Sequence, residues 1–202
     1  MKPVKIWDLP TRLGHWLLAG GIAVAWATGE SERWQLVHVA AGSLAAAVVL
    51  VRLIWGLIGS RHARFIRCLF TPGAVVGYLK SILGGRPDHY TGHNPAGSYA
   101  IYLMLLLALL APLSGWLAYN EIGGHNAEEL HEALANGLLL VVGVHVAGVV
   151  LGSLLHRENL PRAMITGFKL GAPEEAIKRN HALAATLLLI WGATAVALSR
   201  YL

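Results

Sequence analysis

Five stretches of this 202-residue chain are apolar over the roughly 20 residues that a helix needs to cross a bilayer, at about 13–28, 34–58, 98–119, 130–155 and 181–202. No other property limits the fold as tightly. In a hydrocarbon layer a segment must satisfy its own backbone, so these runs are read as helices and the chain as an all-α integral membrane protein. Composition agrees: 55% of the residues are hydrophobic and only 13% are charged, about half the charged fraction of a soluble domain. There is no room for a separate soluble catalytic domain. The first run is the shortest; Trp7 and the turn at Pro10 are expected to anchor its entry at the membrane interface. No cleavable leader is expected, because that run lacks a small-residue cleavage site.

The net charge of +5 suits a nucleic-acid binder only until the charges are located. Lys2, Lys5 and Arg12 precede the first run. Arg61, Arg64, Arg67, Lys80 and Arg86 follow the second, and Arg157, Arg162, Lys169, Lys178 and Arg179 follow the fourth. Five crossings put all of these on one side. Arg33, Arg200, Glu30, Glu32, Glu121, Glu128 and Glu129 fall on the other. By the positive-inside rule the N-terminus is cytoplasmic and the C-terminus external. Residues 71–84, opened by Pro72, read as an amphipathic helix on the cytoplasmic membrane surface or as an ordinary loop helix. Cys68 is the only cysteine, which excludes an internal disulfide, a cysteine-ligated iron–sulfur cluster and covalent attachment of a c-type haem.

Four histidines lie inside the predicted spans: His15, His38, His131 and His145. Ionisable groups there are costly and mark function. His131 and His145 are fourteen residues apart, which on a helix is about 21 Å of rise and a return to within about 40° of the same face. The alternating direction of the spans puts His38 level with His131 and His15 level with His145. Two facing imidazoles inside a helical bundle are the axial ligand set of a haem, and two such tiers make an electron relay across the membrane. A packed, hydrogen-bonded histidine is the alternative for any one of the four. Zinc is a weaker one, since it gathers its ligands into a single cluster. Arg52, fourteen residues after His38, projects from the same face toward the inner tier. It either meets a haem propionate there or extends to the cytoplasmic surface. Gly20, Gly21 and Gly42 either admit a porphyrin or serve helix contacts. His62, His89, His93, His125, His156 and His181 lie in loops or at span ends. There they are solvated residues, or for His93 a quinone neighbour and for His156 a propionate partner.

The segments WDLPTRLGHW (Trp7–Trp16), GHNPAG (Gly92–Gly97) and HEALANGLLLVVGVHVAGVVLGSLLHRENL (His131–Leu160) resemble the bacterial cytochrome b561 family, which includes the b-type cytochrome subunits of membrane-bound nickel–iron hydrogenases. The resemblance runs from about residue 5 to 167. It implies a four-helix transmembrane bundle holding two non-covalent b haems, with His15, His38, His131 and His145 as ligands. It also implies quinone as diffusible substrate and a periplasmic redox partner, either a cytochrome c or a dehydrogenase or hydrogenase subunit. Residues 1–170 are then the di-haem core, and 171–202 a linker and fifth transmembrane helix. The expected function is transmembrane electron transfer in the bacterial cytoplasmic (inner) membrane, as a subunit with no catalytic residues of its own. The alternatives are a stand-alone quinone reductase fed by superoxide or another small donor, and a transporter of protons or metal ions.

Overall fold

A computed structural model describes residues 2–85 and 88–201; Arg86 and Leu202, which the sequence reading placed in a basic loop and at the end of the last span, lie outside the described residues. Five long helices form the body: α1 (Leu9–Thr28), α2 (Gln35–Ile58), α4 (Pro95–Tyr119), α5 (His125–Leu155) and α7 (Ala182–Leu198). Two shorter helices, α3 (Pro72–Leu83) and α6 (Leu160–Thr166), sit in the connections. Asp8, Thr71, Asn94 and Asn159 each precede a helix that has proline in its first turn, and each accepts a backbone N–H from that turn. The caps at Asp8 and Asn94 explain why α1 and α4 begin earlier than hydropathy alone suggests, with capped first turns ahead of the apolar stretch; α5, which has no side-chain cap, begins early on the polar run HNAEEL.

Four helical segments are long and apolar enough to cross a membrane: Glu32–Ile58, Pro95–Tyr119, His125–Leu155 and Ala182–Tyr201. The chain is therefore a mostly helical, multi-pass membrane protein. α1, read from the sequence as the first span, is not among the four, because Thr11, Arg12 and His15 interrupt its apolar character. Its 20 residues are still about 30 Å long, and it packs against both α2 and α7. The other close pairs are α4 with α5 and α2 with α4 and α7. Val49, Leu105, Ala108 and Leu138 are the buried centre, with Leu18, Ile22, Leu53 and Met104 around them, so α1, α2, α4 and α5 share one core. Outward-facing Leu57, Leu140, Leu154 and Leu183 stay more than two-thirds exposed, as side chains that face lipid do.

One end of the body carries a cap that the all-α expectation did not contain. Strand β1 (Lys2–Lys5) pairs antiparallel with β2 (Phe168–Gly171), Val4 opposite Lys169. Four-residue strands are too short to leave a periodic signal in the sequence. Gly167 makes the junction possible. It ends α6 at φ 89°, its carbonyl accepts from Ile6 and Trp7, and a Cβ there would lie 2.7 Å from the Trp7 carbonyl oxygen. Ile6 and Trp7 are buried with Val4, Met164 and Ala176 in a second small core. Trp7, expected as an interface anchor, is buried inside the cap. The expected boundary between residues 170 and 171 falls inside β2.

Candidate functional site: two tiers of histidine

The four intramembrane histidines meet in two pairs. At the end far from the cap, here the outer tier, the rings of His38 and His131 have centroids 5.9 Å apart and stand at 89°. Toward the cap, in the inner tier, the rings of His15 and His145 are 6.5 Å apart at 56°. A metal about 2 Å from one nitrogen of each ring sets facing imidazole centroids roughly 6 Å apart. Both pairs have that spacing, each from two different helices.

The outer pair is held by backbone. His38 Nδ1 lies 2.8 Å from the Ala25 carbonyl oxygen in the last turn of α1, and His131 Nδ1 lies 2.8 Å from that of Ala111 in α4. The Ala25 carbonyl lacks its usual helical donor because Gly29 N–H bonds instead to Trp26, tightening the helix end, and it accepts besides only from the Thr28 hydroxyl at 3.3 Å. An Nδ1–H donating to a carbonyl fixes the tautomer and leaves Nε2 with its lone pair, which is how a metal-binding histidine is prepared. Gly115 makes room for this ring: a Cβ there would stand 2.9 Å from His131 Cε1. The inner pair is held differently. His15 Nδ1 is buried without a hydrogen-bond partner, and the Trp16 indole packs edge-on to its ring at 4.9 Å and 85°.

These residues fit a haem by their own chemistry. Beyond the paired imidazoles, Arg52 Nη1 is buried with no partner, while its guanidinium lies 4.8 Å from the centroid of the Phe65 ring. A buried cation with a free donor is suited to a carboxylate such as a propionate. Gly20 and Gly42 face open space, where an added Cβ meets nothing within 4 Å. Gly21 instead packs against the backbone of Ala41, as a helix contact. Among the described residues no group of three or more His, Cys, Asp or Glu side chains could hold a metal ion, which leaves the zinc alternative without a cluster.

The remaining histidines divide between surface and cap. His125 is exposed beside Glu128 and Glu129, and His89 packs against His156 near the cap. His181 packs against Trp55, whose indole donates to Asp8 at 3.0 Å. His93 is no solvated loop residue: its Nδ1 is 3.3 Å from Cys68 Sγ, and its ring packs against Trp7 at 4.7 Å. Burial, with help from Arg52 and Lys169, pushes His93 down to about 3, so it is neutral at physiological pH. Burial also lowers His62, which bonds to the Glu175 carbonyl at 2.8 Å, and raises the Cys68 thiol. Lys169, lowered by burial and supported by Glu158 at 3.7 Å, bonds the carbonyl of Tyr90. With Thr91 donating to Glu175 at 2.7 Å, these contacts tie the loop before α4 to the linker after α6. Sequence reasoning missed this polar lock, since its partners lie up to 113 residues apart. Asp8 was also missed, although an Asp two residues before a helix-opening proline is a capping signal.

Such a bundle, with imidazoles facing in two layers, defines a class: multi-pass helical membrane proteins that carry haem and transport electrons. The family profile described as prokaryotic cytochrome b561 matches residues 6–167, and the chain belongs to that family. It is thus a b-type cytochrome. Relatives include a probable Ni/Fe-hydrogenase B-type cytochrome subunit of Rhizobium leguminosarum bv. viciae, 26% identical with 84% of this chain and 90% of the relative covered. Its counterpart in Cupriavidus necator is 23% identical, covering 84% and 88%. The Ni/Fe-hydrogenase 1 counterpart in Escherichia coli is 26% identical over a shorter region, 57% and 60%. No solved structure matches the chain.

Proposed function

We propose that this cytochrome passes electrons between the two membrane faces through two b haems, one held by His38 and His131 and the other by His15 and His145. A haem held by an imidazole of His38 and of His131, or of His15 and of His145, would supply a reversible one-electron couple. The protein's part is to hold ligands still. Backbone carbonyls orient the outer imidazoles, Trp16 packs against His15, and Arg52 neutralises a propionate of the inner haem. α1 is taken as a span beside the four more apolar helices, which puts the cap in the cytoplasm and the C-terminus outside, with the core over 1–170 and α7 as an added fifth span. Electrons are exchanged with membrane quinone at the inner tier and with a periplasmic protein at the outer tier. The names of the relatives point to a Ni/Fe-hydrogenase as that protein.

The observation that carries this reading is the meeting of two imidazole pairs at haem spacing, both with one member on α5. The test is haem counting on purified His131→Ala and His145→Ala variants by reduced-minus-oxidised spectra. Each variant should lose one haem of two, and a different one. Preparations of the wild-type chain with no b-type bands, or variants that both keep two haems, would end the proposal.

A further inference from the structure

One carboxylate is buried in the inner half of the bundle, and electron transfer as described above leaves it without a part. Asp8 is 0% exposed, at the start of α1. Its Oδ1 accepts from the Thr11 N–H at 2.9 Å and its Oδ2 from the Trp55 indole at 3.0 Å. The first bond caps α1, and the second ties it to α2. Both partners are N–H groups with no acceptor to offer, so neither can take a carboxyl proton, and the arrangement suits the charged form. A charge at such depth normally has a counter-ion, yet among the described residues no cation stands within ion-pair distance of Asp8. Arg12, four residues on, turns its guanidinium to the Ile165 carbonyl, and that of Arg52 lies over the Phe65 ring. His181 packs edge-on to the Trp55 ring.

Helix packing fixes the depth of this charge. α1 and α2 run antiparallel in close register, with Gly14 against Val48, Gly21 against Ala41 and Asp8 against Trp55. Asp8 precedes His15 by seven residues, which on a helix is two turns, about 11 Å of rise and a return to within about 20° of the same face. Trp55 follows Arg52 by three residues, so Asp8 also lies about one turn below Arg52. We propose that Asp8 sets the electron affinity of the inner tier: its unpaired negative charge, held two turns from His15 by Thr11 and Trp55, makes an added electron there less stable. The inference rests on the haem reading above and adds to it a positioning residue that touches neither ligand of the inner pair. With an effective dielectric constant of about 20, a unit charge about 11 Å away changes that affinity about tenfold. The outer tier is about 21 Å further along the bundle, where the same charge acts only about twofold.

The experiment is a potentiometric titration of the full-length holoprotein in nanodiscs, wild type against Asp8→Asn and Asp8→Ser. Both replacements are good helix caps without charge, and Asn also keeps the shape of the side chain. The inner wave is identified as the one lost in His145→Ala. In each Asp8 variant that wave should rise by about tenfold in electron affinity, which is about 59 mV for a one-electron couple. The outer wave should move by less than half as much, with two haems still bound. Amide exchange at Thr11 should stay slow in both variants, showing that the cap has survived the loss of charge. An inner wave that stays in place with both haems bound, or two waves that move together, would overturn the inference and leave the haem reading intact. Loss of the inner haem from both variants would overturn it as well, and would make Asp8 a residue that holds the site together. Wild-type protein without b-type bands would instead remove the haem reading, and this inference with it.

Discussion

Gly115 and Ala111, a helical turn apart on α4, decide how His131 stands. A methyl at position 115 would sit 2.9 Å from Cε1 and 3.0 Å from Nδ1 of that ring, so the imidazole must turn and its 2.8 Å bond to the Ala111 carbonyl must break. Leaving a buried donor unmatched costs about 1–3 kcal/mol. Gly115→Ala is therefore expected to lower occupancy of the outer haem and spare the inner one, checked by the haem-to-protein ratio and the shape of the difference spectrum. Arg52→Ala should do the reverse, shifting the inner component alone; equal loss of both components would contradict the role given to that guanidinium. The histidines and Arg52 were legible in the sequence because an ionisable side chain in an apolar run stands out and its spacing fixes its depth and face. Gly115 and the Ala25 and Ala111 carbonyls were not. A backbone acceptor has no residue type of its own, and a glycine that makes room for a ring on the neighbouring helix reads like any other glycine of a membrane helix.

Among the elements, the long helices follow from hydropathy and proline-marked starts, whereas the cap follows from neither. Each of its strands has four residues, and its lock joins the N-terminus, the loop before α4 and the linker after α6. Pairing over such separations is set by the finished bundle, which brings these ends together. The cap has a pH signature. His62, His93 and His156 are all lowered from the usual imidazole value, first of all by burial. The folded cap disfavours their charged forms, so below about 6.5 the unfolded chain binds more protons than the folded one. Their contribution is complete above that pH and is lost on acidification, for His93 over the window from 6.5 down to about 3. Amide exchange at Ile6 and Trp7 should accelerate between pH 7 and 5, beyond the intrinsic pH dependence, while amides in the middle of α4 should not follow. Equal protection at both pH values would show that these histidines do not hold the cap.

At the scale of the molecule, α5 sets the geometry of the whole: its 31 residues, about 46 Å of helix, carry one ligand of each tier. The two tiers are nonetheless unlike. The outer rings each give a proton to a carbonyl, which makes them stronger electron donors and favours oxidised iron. The inner tier has a His15 Nδ1 with no carbonyl to donate to, and the proposed Arg52–propionate pair would offset negative charge beside the inner haem; both would favour reduced iron there. Potentiometric titration should resolve two waves, the lower one vanishing in His131→Ala; loss of the upper wave would refute the assignment. Under the proposed two-haem reading, that order would make the hop from the outer tier to the inner one downhill before any membrane voltage acts. The bias between the tiers would then be written into which imidazole found a carbonyl to lean on.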